Sequence, residues 1–112
     1  MNNKDRGLTR NEEIILLSIL KLKDDAYLVA LVDHISRITG KKASVATIYF
    51  PLSRLEEQGV ITSSFGEATA VRGGRRKKIY SITHTGFARL EEYRRISDLL
   101  WQDYLILSAP EE

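Results

Sequence analysis

The sequence contains no cysteine, which removes disulfides, thiolate nucleophiles and cysteine-based metal sites together. Proline occurs twice and tryptophan once in 112 residues, and there are no internal repeats or low-complexity tracts. No apolar run approaches the ~18 residues of a spanning helix, and residues 1–7 lead into no signal-peptide core. What is present, 43% apolar and 29% charged residues, is too apolar for a disordered chain and fits a soluble domain. The length is that of one domain, or of one domain plus an arm, and the expected location is cytoplasmic.

Catalytic chemistry is equally poorly supplied. His34 and His84 each lack a second histidine at ligand spacing, so neither a metal site nor a general base is expected there. Glu56-Glu57 and Glu91-Glu92 are adjacent only in sequence, and neighbouring helical side chains diverge by ~100°, so both pairs read as solvated faces. Arg72-Gly73-Gly74-Arg75 follows no strand-to-helix pattern of a phosphate loop. The expectation is a protein without cofactor or metal, and not an enzyme.

The net charge of +2 conceals a strong asymmetry. Residues 1–40 carry six basic and six acidic side chains. Residues 41–83 carry eight basic against three acidic, and residues 84–112 carry three basic against six acidic. A basic middle third between a neutral start and an acidic end points to an anionic partner for that third.

Thr9-Arg10-Asn11-Glu12 fits a capping box at the start of a first helix, apolar over so much of its surface that it reads as a central core helix. That helix is expected to stop near Lys23, where Asp24-Asp25 offer a turn and a fresh N-cap. Leu28, Leu31, Val32, Ile35 and Ile38 then recur at three- and four-residue steps, giving a second helix over residues 26–39 closed by Gly40. Ser44 is the expected N-cap of a third helix ending at Gln58, with Val45, Ile48, Leu52 and Leu55 on one side and Gly59 beyond. Residues 60–65 and 77–82 are β-branched and aromatic and read as two strands joined by a Gly-Gly hairpin. Thr83 or Thr85 caps a last helix reaching about Leu107, ~35 Å long, which must project from so small a domain.

Tightly joined helices followed at once by a basic hairpin describe a winged helix-turn-helix. The fold class is mainly α with a small β-hairpin: residues 1–8 a flexible start, 9–83 the winged helix, and 84–112 a dimerisation helix and tail. A helix fits the ~12 Å major groove, and its first turn points free amides and short side chains at phosphates and base edges. Lys42, Ser44, Thr47 and Tyr49 belong to that element. Arg72, Arg75, Arg76, Lys77 and Lys78 supply a grip on the neighbouring backbone, each able to displace a condensed counterion. Ser44 serves either as a cap alone or as a cap that also meets a phosphate. Arg54 either meets DNA or pairs with a carboxylate such as Glu57 or Glu91.

The chain resembles the PadR family of bacterial transcriptional regulators. The resemblance rests on Leu8-Thr9 with the apolar first helix, Asp24-Asp25-Ala26-Tyr27, and Ala46-Thr47-Ile48-Tyr49 with Leu52 and Arg54-Leu55-Glu56. Gly59, Val60, Gly73-Gly74-Arg75 and Tyr80-Ser81-Ile82-Thr83-His84-Thr85-Gly86 complete it. It implies a dimeric DNA-binding protein, usually a repressor, of the small type with a short C-terminal part. It also implies a phosphate contact for Tyr49, whose other reading is a half-buried aromatic. One departure stands out: many members carry proline directly after the tyrosine, whereas here Phe50 intervenes and the proline is Pro51. Inside a helix, Pro51 is expected to bend the axis or loosen the first turns, and Phe50 either touches a thymine methyl or packs on the wing.

A projecting helix cannot bury its apolar surface alone. Leu90, Tyr93, Ile96, Leu100, Trp101, Tyr104 and Leu107 are therefore expected at a homodimer interface, with the first helix contributing. Two recognition helices would then lie about one DNA turn apart, ~34 Å, on an inverted-repeat operator. Some small family members hold flat aromatic ligands between tryptophans at the dimer centre, so Trp101 is either an interface anchor or a contact for a small aromatic effector. The reading is a homodimeric regulator of double-stranded DNA. The alternative from another class is a winged-helix module whose wing meets an acidic protein partner.

Overall fold

The structure is a computed structural model that describes residues 7–66 and 76–108. Its elements run α1 (Arg10–Leu22), a 3-10 turn (Lys23–Asp25), α2 (Leu28–Thr39), α3 (Val45–Glu57), β1 (Ile61–Phe65), β2 (Lys78–Ile82) and α4 (His84–Leu107). The architecture is mostly helical with one two-stranded antiparallel hairpin, in which Ile61 pairs with Ile82 and Phe65 with Lys78.

Local chemistry explains the helix starts. The Thr9 side chain accepts the Glu12 N–H, and the Glu12 carboxylate accepts the Thr9 N–H at 2.8 Å, a reciprocal capping box. The Thr83 side chain accepts the Gly86 N–H at the start of α4, and its hydroxyl lies 2.6 Å from the Gly59 carbonyl oxygen. Thr83, rather than Thr85, is thus the cap, and it also ties α4 to the end of α3. Gly40 and Gly59 adopt φ of +70° and +74°, the left-handed turn that ends a helix with least strain on glycine.

One boundary differs from the periodicity. Residue Asp25 does not cap α2; Tyr27 stands at that position with no side-chain bond, and the helix begins at Leu28. The preceding pair is taken by the sheet. The Tyr80 N–H donates to the Ala26 carbonyl at 2.9 Å, and Tyr27 bridges Ile79, so residues 26–27 run as a third edge beside β2. The helix α3 runs continuously through Pro51.

The core joins Ile15, Leu16 and Ile19 of α1 to Leu31 and Ile35 of α2 and to Ile48, Leu52 and Leu55 of α3. Val60, Ile61, Tyr80 and Leu90 close it from the wing and α4. Burial narrows the expected faces. Leu17 and Leu20 on α1, Ile38 on α2 and Val45 on α3 are exposed, because each helix meets neighbours on only part of its circumference. Gly86 is buried where α4 crosses the sheet, and a Cβ there would run into the Val60 carbonyl oxygen and the Ile82 side chain.

Beyond Leu90 no residue of α4 is buried. A radius of gyration of 17.0 Å, against ~13 Å for a compact chain of this size, expresses that projection.

Candidate nucleic-acid interface

The start of α3 is built by a short reciprocal network. The Ser44 side chain accepts the Thr47 N–H at 3.2 Å, while the Thr47 hydroxyl oxygen accepts the Ser44 N–H at 3.1 Å and lies 2.9 Å from the Ser44 carbonyl. Thr47, expected as a groove contact, is therefore first a member of the cap. The network leaves the Val45 and Ala46 amides without intrahelical acceptors at the positive end of the helix dipole.

The α2–α3 link is held onto α2. The Ser36 hydroxyl accepts the Ala43 N–H at 2.9 Å and donates to the Val32 carbonyl at 2.8 Å. This places Lys41 and Lys42 beside α3. Arg10 reaches the same place from the start of α1, and together they edge a groove of about 560 Å³ floored by isoleucines, with Thr47 on its rim and no carboxylate in its lining. Sequence reasoning named Lys42 alone. Lys41 was visible in the charge asymmetry, but Arg10 arrives through tertiary packing and left no local signal.

Along the outer side of α3, Tyr49 is 45% and Phe50 60% exposed, the rings meeting edge-on with centroids 5.9 Å apart. Among the described residues no carboxylate lies within ion-pair distance of Arg54, which stands exposed on the same helix.

Arg76, Lys77 and Lys78 of the wing are individually placed. Arg76 donates from Nε to the Gly66 carbonyl at 3.1 Å, with its guanidinium over the Phe65 ring. The Lys77 ammonium sits 4.0 Å from the centre of the Tyr27 ring, a cation–π contact joining the wing to the start of α2. Lys78 lies 3.4 Å from a Glu56 carboxylate oxygen. Glu56 also accepts the Ser63 hydroxyl, so it is a cross-link between α3 and the hairpin and not the solvated charge expected from sequence. A half-exposed pair of this kind leaves much of the Lys78 charge accessible to an anion. Arg72 and Arg75 lie outside the described residues. Under the wing, burial pushes the Tyr80 phenol above its usual range, and the nearby Lys78 ammonium pulls the other way.

On α4, Leu90 belongs to the chain's own core and is not free to meet a partner, correcting its place among the expected interface residues. Tyr93 is half-buried; Ile96, Leu100, Trp101, Tyr104 and Leu107 are exposed, as are Leu99, Leu105 and Ile106. The Trp101 and Tyr104 rings meet edge-on at 5.3 Å and border, with Leu100, a shallow cavity of about 190 Å³. No group of three or more His, Asp or Glu among the described residues could hold a metal ion, and no helix among them is long and apolar enough to cross a membrane.

A model of the transcriptional regulator PadR-like family matches residues 16–92, from α1 through the wing into α4. The chain belongs to that family. No curated protein matches it in sequence. Among solved structures, a PadR-like transcriptional regulator from Bacillus cereus is 24% identical, with a TM-score of 0.72 over 90% of this chain and 93% of that one. A PadR family regulator from Clostridium difficile is 30% identical over 83% of this chain and 97% of its own, with a TM-score of 0.58. Bordetella bronchiseptica BpsR, whose DNA binding is regulated by 6-hydroxynicotinic acid, is 20% identical over 96% of this chain and 70% of its own, with a TM-score of 0.66. This PadR-like chain thus has the winged helix-turn-helix fold of a transcriptional regulator.

Proposed function

We propose that the protein is a homodimeric repressor that binds an inverted-repeat operator. One observation carries the reading: the capped start of α3, with two free amides, lies beside Arg10, Lys41 and Lys42 and on the same molecule as the basic wing. Phosphates meet the groove cations, the Ser44 end of the helix and the wing residues Arg72, Arg75, Arg76, Lys77 and Lys78, while Thr47 and Tyr49 stand at the groove edge. The exposed apolar side of α4 supports a symmetric pairing with the Leu17 and Leu20 side of α1 in the second copy. Leu100, Trp101 and Tyr104 of each copy would then offer flat surfaces to a small aromatic effector at the centre of the dimer.

The test is selection from pooled random duplexes at two salt concentrations, with the mass of the free and bound protein measured by light scattering. An inverted repeat bound by a dimer, with affinity falling steeply in salt, supports the reading. Uniformly weak binding without selection would overturn it and favour the acidic-protein partner. Adding 6-hydroxynicotinic acid while following Trp101 fluorescence tests the effector.

A further inference from the structure

Reading bases in the major groove places specific demands on side chains. Guanine is read by Arg or Lys, adenine by Asn or Gln, and cytosine by Asp or Glu, through hydrogen-bond donors and acceptors on the base edges, while Ser and Thr bond to either kind of edge with less discrimination. Between Val45 and Ser53 the helix α3 contains none of the six discriminating types; its short hydroxyls there are Thr47, engaged in the cap, and Ser53. The first of the six types is Arg54, about 13 Å along the axis from Val45. Opposite the buried Ile48, Leu52 and Leu55, the outer side presents instead Ala46 and Phe50, both exposed, with the exposed Tyr49 on the flank. Phe50 is the more exposed ring of the pair it forms with Tyr49, and that edge contact restricts the orientations of its ring.

The apolar group on the floor of the major groove is the 5-methyl of thymine. A ridge from Ala46 to Phe50 covers about 6 Å of helix, roughly two base-pair steps. We infer that Phe50, with Ala46 one turn before it, reads thymine methyl groups, and that each half-site carries thymines at neighbouring base pairs under this ridge. The inference rests on the DNA-binding reading and adds to it the chemistry by which bases are told apart. It also assigns a use to an apolar ring held open to water at the place where the helix meets its ligand.

The experiment takes the operator recovered from the random pool and replaces its thymines one at a time with deoxyuridine, which keeps the pairing and the O4 acceptor and deletes only the methyl. Affinity of the full-length wild-type protein is expected to fall about four-fold at a thymine under the ridge, which corresponds to ~0.8 kcal/mol for one buried carbon, and about fifteen-fold when both half-sites are changed. In Phe50→Ala the same deoxyuridine should carry no penalty, whereas Phe50→Leu should keep most of it. Circular dichroism melting of both variants should match wild type, because Phe50 is 60% exposed and contributes little to the core. Affinity unchanged at every deoxyuridine, with selection intact, would overturn the inference and leave the DNA-binding reading standing. A penalty that persists in Phe50→Ala would place methyl reading on another side chain and overturn the assignment. Failure to select any duplex would overturn both readings.

Discussion

Replacing Leu100 by alanine tests whether the projecting half of α4 is an interface. Leu100 is 66% exposed in the single chain, and the substitution removes all of its side chain beyond Cβ. If a partner covers what solvent now touches, each copy loses about two-thirds of roughly three buried carbons at ~0.8 kcal/mol each, or ~1.5 kcal/mol. Symmetry doubles this to ~3 kcal/mol per dimer, a weakening of about a hundred-fold in the dissociation constant. Sedimentation equilibrium over a dilution series reads that change directly. Val29, similarly exposed at 64% but on α2, is the control, and Val29→Ala should leave the dissociation constant within about two-fold. Equal, small effects from the two substitutions would refute the argument that the exposed leucines of α4 are covered, as would a wild-type protein that remains monomeric.

Neutralising Arg75 and Arg76 should weaken binding to all duplexes alike and lower the salt slope by about 0.9 for each phosphate no longer neutralised, whereas Thr47→Val should change sequence preference; competition titrations at several salt concentrations separate the two. Gly86→Ala should lower stability by ~1–3 kcal/mol, read by chemical denaturation, because the added methyl meets the Val60 carbonyl and Ile82. The Tyr80 phenol, raised by burial, holds its proton more tightly in the folded state than in the unfolded one. Its contribution is therefore fully present below about pH 10 and fades as pH rises through the higher folded value, so the melting temperature of wild type should fall more steeply there than that of Tyr80→Phe.

The helix order, the capped starts of α1 and α3 and the hairpin were legible in the sequence because their causes are local. Thr9 with Glu12, and Ser44 just past a basic link, need only neighbours a few positions away. Burial was less legible. Leu17, Ile38 and Val45 fit their helical stripes as well as Leu16 or Ile48 do, and only the packing of whole helices decides which of them water reaches. The same limit applied at the candidate interface. Lys42 follows from its position before α3, but Arg10 joins it only once α1 crosses the start of that helix. Ala26 and Tyr27 continued an apolar period and so read as helix, yet the edge of β2 needed a hydrogen-bond partner and took them. Glu56 likewise read as a surface charge until the hairpin brought Ser63 and Lys78 to it.

The close seating of Gly86 against Val60 and Ile82 fixes the root of α4 to the wing, while the helix beyond Leu90 buries no residue within its own chain. Any rotation at that root would swing the arm about the sheet. From Leu90 to Leu107 the arm is about 25 Å, so a tilt of about 8° at the root displaces its far end by roughly 3.4 Å, one base-pair step. In a molecule paired through α4, such tilts would alter the distance between the two α3 helices. The stiffness of one glycine contact would then set how many base pairs separate the half-sites the protein accepts.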